Sequence, residues 1–153
     1  MLHTIAPARP TLVVPATTTW PEFRGLWKPM LDEVWACLNA AGVHGGCPNV
    51  MLYLDDRPSV EIGVLRAEPV PLAGRVVVSA LPAGPVATTV HRGPYSELGA
   101  AHEAVLAWCA AQGLRTAGPR WEIYGPHDPD PARTETEVCY LLTQPSSSSA
   151  PPS

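Results

Sequence analysis

No run of Lys or Arg occurs anywhere in this chain of 153 residues: ten basic residues are scattered among fourteen acidic ones, and the formal net charge is −4. A phosphate backbone finds no electrostatic footprint on such a sequence, so nucleic acid is not an expected partner. The N-terminal stretch MLHTIAPARP lacks a basic segment followed by an apolar core. No later stretch reaches the roughly 18 uninterrupted apolar residues that a membrane helix needs. A cytoplasmic location without a membrane partner is the expectation. Cys37, Cys47, Cys109 and Cys139 stand far apart, with no CxxC pair and no Cys–His cluster at zinc-ligand spacing. They read as small buried apolar residues, and neither a metal nor a cofactor is expected. Ser-His-Asp and Cys-His sets are also missing, which removes the usual signatures of nucleophilic catalysis.

What is present is an internal repeat. Laid over itself with a shift of 71 residues, the separation of Gly42 from Gly113, the sequence matches without a gap from Val14 to Leu54. Ala16, Thr17 and Thr18 then meet Ala87, Thr88 and Thr89, while Pro48 and Tyr53 meet Pro119 and Tyr124. Farther on the second copy carries extra residues, after which Val60 to Val64 corresponds in character to Thr136 to Tyr140. Two copies of one supersecondary unit are implied.

Each copy reads as strand, helix, strand, strand. Pro85 to His91 is rich in Val and Thr, as strands are, and Gly93-Pro94 suits the start of a helix over about 95–112. Leu98, Ala101, Val105, Trp108 and Cys109 recur at three- and four-residue steps, and Gly113 is placed to stop the helix. Leu31, Val34, Leu38 and Ala41 repeat that pattern before Gly42, with a kink or restart expected at Pro29. Further strands are expected over 49–55, 60–66, 120–125 and 135–143. The whole predicts an α+β domain over residues 1–143. Repeat one covers about 11–66, a linker covers 67–82 in which 75–80 is extended, and repeat two covers about 83–143. Six to eight antiparallel strands carry two helices on one face, with a cleft between pseudo-symmetric halves. Residues 144–153, rich in Ser and Pro, are expected to be disordered.

The symmetry breaks where the chemistry is. Alternate residues of a strand share a face, so Arg120, Glu122 and Tyr124 look one way and Trp121 and Ile123 the other. In the first copy Asn49, Met51 and Tyr53 oppose Val50, Leu52 and Leu54. The purely apolar sets are the packed face, which sets Glu122 and Tyr124 beside Met51 and Tyr53 at the cleft. A carboxylate among such residues needs phenol donors or a bound cation. Trp121 belongs to the core. Trp27, Trp35 and Trp108 read as core as well, and Trp20 reads either as core or as a pocket residue. His91 reads as a surface or capping residue and His127, in a polar loop, as solvated.

The segment from Pro82 to Tyr95, the helix after it, Gly118-Pro-Arg-Trp-Glu-Ile-Tyr124 and Glu135-Thr-Glu-Val138 resemble the GyrI-like family, the BmrR-type effector-binding domain of bacterial multidrug regulators. Over residues 11–66 the resemblance is architectural. It implies that Glu122 is the acid that meets the positive centre of a lipophilic cation, with Tyr124 and Tyr95 beside it. Glu122, Tyr124, Tyr95, Tyr53, Met51 and Trp20 are therefore the candidate ligand-binding residues. The helix-turn-helix of DNA-reading members is missing, so a stand-alone binder of a hydrophobic small molecule is expected. Some members hydrolyse reactive cyclopropane-bearing compounds, and for that alternative Glu122 and Tyr124 are the candidate catalytic pair. An adaptor role through a sheet edge would leave a Glu among aromatics unexplained.

The charge pattern makes one outcome testable: this chain alone does not retard duplex DNA. A salt-sensitive mobility shift at micromolar protein contradicts it.

Overall fold

The computed structural model describes residues 1–126 and 128–143. The expectations for His127 and for residues 144–153 lie outside the described residues. The fold is α+β, with one antiparallel eight-stranded sheet and two helices. Along the chain come β1 (Leu2–Ala6), β2 (Arg9–Thr17), α1 (Trp20–Ala40), β3 (Asn49–Tyr53) and β4 (Ser59–Leu65). They are followed by β5 (Val77–Leu81), β6 (Gly84–Arg92), α2 (Leu98–Ala111), β7 (Thr116–Tyr124) and β8 (Glu135–Leu142). In space the order is β1-β6-β8-β7-β3-β4-β2-β5, so the two parts of the chain meet at the β3–β7 pair.

Directly paired residues lie on one face of a sheet. Val14 pairs with Ile62, Ile62 with Met51, Met51 with Glu122, Glu122 with Val138 and Val138 with Thr89. α1 buries Phe23, Met30, Val34 and Leu38 against Leu12, Val14, Ile62 and Val64 at one end of that row. α2 buries Leu98, Val105 and Cys109 against Ala87, Val138 and Tyr140 at the other. Both helices thus cover the same face, and Glu122 lies between their footprints. The opposite face holds a second core of Val50, Leu52, Trp121, Ile123 and Cys139, closed by Leu65, Leu81 and Val86 rather than by a helix. Trp121 is buried there, as its alternation with Glu122 requires. Gly63 sits in the middle of the sheet because a Cβ would fall 1.8 Å from the Leu12 carbonyl oxygen.

Four details depart from the sequence reading. α1 runs unbroken through Pro29, without a restart: Pro29 and Gly25, whose carbonyl loses its partner, are both on the exposed side where water can serve instead. The first strands do not obey the 71-residue shift. Leu12 pairs with Val64 and Ala87 with Tyr140, so Ala87 takes the place of Leu12 in the second copy, where a uniform shift would put Ala83. The cause is the start of the helix. α1 begins at Trp20, about two turns farther ahead of Val34 than Leu98, the start of α2, is ahead of Val105. Gly93, Pro94 and a 3-10 turn over Tyr95–Glu97 make up only part of that difference, so the second strand lies nearer to its helix positions. β1, for which the sequence offered no pattern, pairs with β6 at one edge of the sheet. β5, foreseen as an extended part of the linker, is a strand on β2 at the other edge. Gly42 and Gly113, with φ of 84° and 70°, end their helices as expected. Among the described residues no helix is long and apolar enough to cross a membrane.

Two substitutions in α1 check this packing by urea unfolding. Leu38→Ala, at a fully buried site, is expected to cost about 2–5 kcal/mol. Gly25→Ala, with nothing within 4 Å of the added Cβ, is expected to stabilise by about 0.5–1 kcal/mol.

Candidate functional site

β3 and β7 form the floor. Their register places Asn49 opposite Tyr124, Met51 opposite Glu122 and Tyr53 opposite Arg120. On the helix side this puts a carboxylate, a thioether and two phenols within one patch. Above it, Phe23, Trp27 and Leu31 recur at four-residue steps on α1 and form one wall. Tyr95, in the turn before α2, and Leu98, at its first residue, form the other. Between them lies a cleft of about 550 Å³, within the usual size of a small-molecule site.

Glu122 is 6% exposed. Its Oε1 accepts hydrogen bonds from the hydroxyl of Tyr53, at 3.3 Å, and from that of Tyr124. Its Oε2 lies 2.6 Å from Nε2 of His102, whose Nδ1 in turn lies 2.7 Å from the Tyr140 hydroxyl. The Tyr53 hydroxyl is also 3.5 Å from the Met51 sulfur. Both carboxylate oxygens are therefore answered, which is what burial of an ionisable group demands. Burial, then the Glu122 charge, pushes the Tyr53 and Tyr124 phenols well above their ordinary range. Burial does the same, more weakly, to Tyr140.

Of the residues the sequence singled out, Glu122, Tyr124, Tyr95, Tyr53 and Met51 line the cleft together. Trp20 does not line it: its ring packs 5.7 Å from that of Tyr53, and its Nε1 donates to the Asp56 carbonyl. The Arg120 guanidinium lies 5.7 Å from the Trp20 ring and 5.8 Å from the Tyr53 ring, paired to Asp56 at 2.9 Å. Tyr95 is half exposed, its ring 5.6 Å from that of Tyr124 in an edge-to-face arrangement. Trp27, read as core, is a wall of the cleft. His91 caps its turn, with Nε2 3.1 Å from the Pro94 carbonyl oxygen.

The sequence reading missed His102 and the role of Tyr140. A signal existed for each. His102 falls on the stripe Leu98, His102, Val105, Cys109, which faces the sheet, and Tyr140 shares a strand face with Val138 and Leu142. A larger hollow, about 680 Å³, shares Asn49, Tyr124 and Gly125 with the cleft and extends over Trp35, His44 and Cys47. Glu122 is not in its wall and one of its carboxylates, Glu135, is already paired to Arg92, so size alone does not make it the better site. Among the described residues no group of three or more His, Cys, Asp or Glu is arranged to hold a metal ion.

The raised phenols carry a stability consequence. An unfolded tyrosine ionises near pH 10, whereas Tyr53 and Tyr124 stay protonated in the fold, so their contribution is complete below that pH and lost as the pH rises above it. Urea unfolding is expected to show stability falling above about pH 10 by up to about 1.4 kcal/mol per unit for each phenol. The double variant Tyr53→Phe/Tyr124→Phe should lose most of that slope.

No curated protein sequence matches the chain. Among solved structures, the C-terminal domain of EcmrR superposes with a TM-score of 0.72 at 18% identity, covering 94% of this chain and 96% of that one. EcmrR in its DNA complex gives 0.69 at 19% over 92% of this chain, which spans only 56% of the EcmrR chain. SAV2435, solved bound to tetraphenylphosphonium, gives 0.68 at 14%, covering 93% of each chain. At such identities these likenesses establish the fold. The sequence itself matches the GyrI-like small molecule binding domain over residues 6–142, nearly its whole length, and the chain belongs to that family.

Proposed function

We propose that the protein binds a hydrophobic, cationic small molecule in the cleft between α1 and α2, with Glu122 as counter-charge. The observation that carries this reading is the wall itself. Among its described residues Glu122 is the one side chain with a formal charge, and the rest are mostly aromatic or aliphatic. The groups that answer the carboxylate from within the cleft are neutral phenols. They satisfy the lone pairs of Oε1 but bring no positive charge, and in a dry, low-dielectric setting the carboxylate favours a cation too weakly hydrated to resist desolvation. Lipophilic cations meet that description. The rings of Tyr53, Tyr124, Tyr95 and Trp27 add cation–π or stacking contacts of about 0.5–2 kcal/mol each. SAV2435, of the same fold, takes tetraphenylphosphonium, a cation of this class.

A second reading uses the same carboxylate as a general base on water, hydrolysing a cyclopropane-bearing electrophile. It draws on the hydrogen bonds from Tyr124 and His102, and on a protein of this fold from Listeria innocua described as a hydrolase, at 13% identity. Binding is the stronger reading because both oxygens of Glu122 are already engaged, by three donors, and a water would have to compete with them for the carboxylate.

Glu122→Gln separates the two. A binder loses about 1–3 kcal/mol of affinity for a cation such as tetraphenylphosphonium, one or two orders of magnitude in Kd, and little for an uncharged analogue. A hydrolase keeps its affinity for a neutral substrate and turns over roughly 10²–10⁴-fold more slowly. Titration calorimetry and product analysis by mass spectrometry read the two outcomes. Undiminished cation affinity in the variant removes Glu122 from the binding model.

A further inference from the structure

The cleft sees one side of Glu122, and His102 holds the other. His102 is not among the cleft-lining residues: it descends from α2 onto Oε2, while the tyrosines that line the cleft reach Oε1. A carboxylate oxygen can only accept, so Nε2 of His102 carries a proton. Nδ1 is different, because its partner is a hydroxyl. Tyr140 can donate O–H to a bare Nδ1, or it can accept from Nδ1–H once the ring is an imidazolium. Both charge states of His102 are therefore hydrogen-bonded with every heavy atom in place.

We propose that His102 sets the charge preference of the cleft: as neutral imidazole it leaves the Glu122 charge to a ligand cation, and as imidazolium it cancels that charge from behind. The proposal rests on the cation-binding reading above and adds a regulator to it. His102 is a positioning residue, acting on the ligand only through Glu122. Its side chain is 19% exposed and that of Glu122 7%, so the charge passed between them is poorly screened.

The groups facing His102 from the packed elements are Glu122 on β7 and Tyr140 on β8, whose ring lies 5.5 Å away edge to face. Tyr53 on β3 and Tyr124 on β7 reach it through Glu122. Arg120, the register partner of Tyr140, is committed to Asp56, and on α2 itself Glu103 points to solvent. Glu122 is thus the charge that protonation of His102 answers, and cation binding and protonation exclude one another. Affinity for a cation is retained at high pH and lost as the imidazole protonates on the way down. An uncharged ligand of the same shape is indifferent.

Titration calorimetry of the full chain with tetraphenylphosphonium and with uncharged triphenylphosphine oxide, at about pH 8 and about pH 5.5, tests this. The wild type should bind the cation about tenfold or more weakly at the lower pH and the neutral probe with little change. In buffers of different ionisation heat, cation binding at the lower pH should release up to one proton. His102→Gln keeps an N–H donor for Oε2 but cannot take a charge, so its cation affinity should be the same at both pH values, with no proton released. Tyr140→Phe removes the acceptor that favours the imidazolium and should move the loss of affinity to lower pH. Cation affinity independent of pH in the wild type overturns the proposal and leaves the binding reading standing. So does a His102→Gln variant that keeps the wild-type pH dependence. Failure of both probes to bind at either pH overturns the binding reading and this proposal together.

Discussion

A carboxylate enclosed between a sheet and two helices has to be answered by donors, and much of the molecule is arranged around that demand. The donors to Glu122 come from β3, β7 and α2, and the residue that orients the last of them comes from β8. No single element could supply them. β3 and β7 must pair in the register that sets Met51 against Glu122, because a slip by one residue would turn the acid into the apolar core on the other face. Trp121 and Ile123, the neighbours of Glu122, anchor that register from the far side by filling the second core.

That second core explains why the site can be hollow. A sheet covered on one face alone would need its helices packed tightly over the middle strands. Here the middle strands are already held by Val50, Leu52 and Trp121 beneath them, so α1 and α2 can stand apart above. Tyr124, which touches the clusters under both helices, marks the seam between them. The surface left uncovered at that seam is the aromatic cleft. Family membership spans this whole arrangement rather than one half of it, and a TM-score of 0.72 at 18% identity shows how little of the fold depends on particular side chains.

The alternation in 49–53 and 120–124 was enough to assign faces to Met51, Tyr53, Trp121, Glu122 and Tyr124, because a two-residue period leaves no other choice. Helix stops were legible in Gly42 and Gly113 for a similar reason, a backbone conformation that few other residues accept. The edge strands were not. β1 is exposed along nearly its whole length and β5 along most of it, so neither carries an inside–outside pattern to read. Trp27, read as core, packs against the core under α1 and also lines the cleft, because a residue facing a cleft and a residue facing a core have the same spacing on a helix. His102 escaped because its place on the apolar stripe of α2 says that it faces the sheet but not which side chain it meets there, and Glu122 and Tyr140 lie on strands that only the fold brings beneath it.

The exchange of edge strands ties the two parts of the chain together in a way that sequence order does not suggest. β1 precedes the first unit but completes the second, pairing with β6, while β5 precedes the second unit but completes the first, pairing with β2. Each half therefore borrows its outermost strand from the stretch leading into the other. As it leaves the ribosome the first half cannot finish its sheet until β5 emerges, and its leading strand β1 waits longer still, for a partner in β6. Cut between β4 and β5, the first fragment would carry a strand with no place to pair and the second would lack the one that covers its edge. The halves look alike, yet they are interlocked, and the molecule assembles as one unit or leaves two open edges.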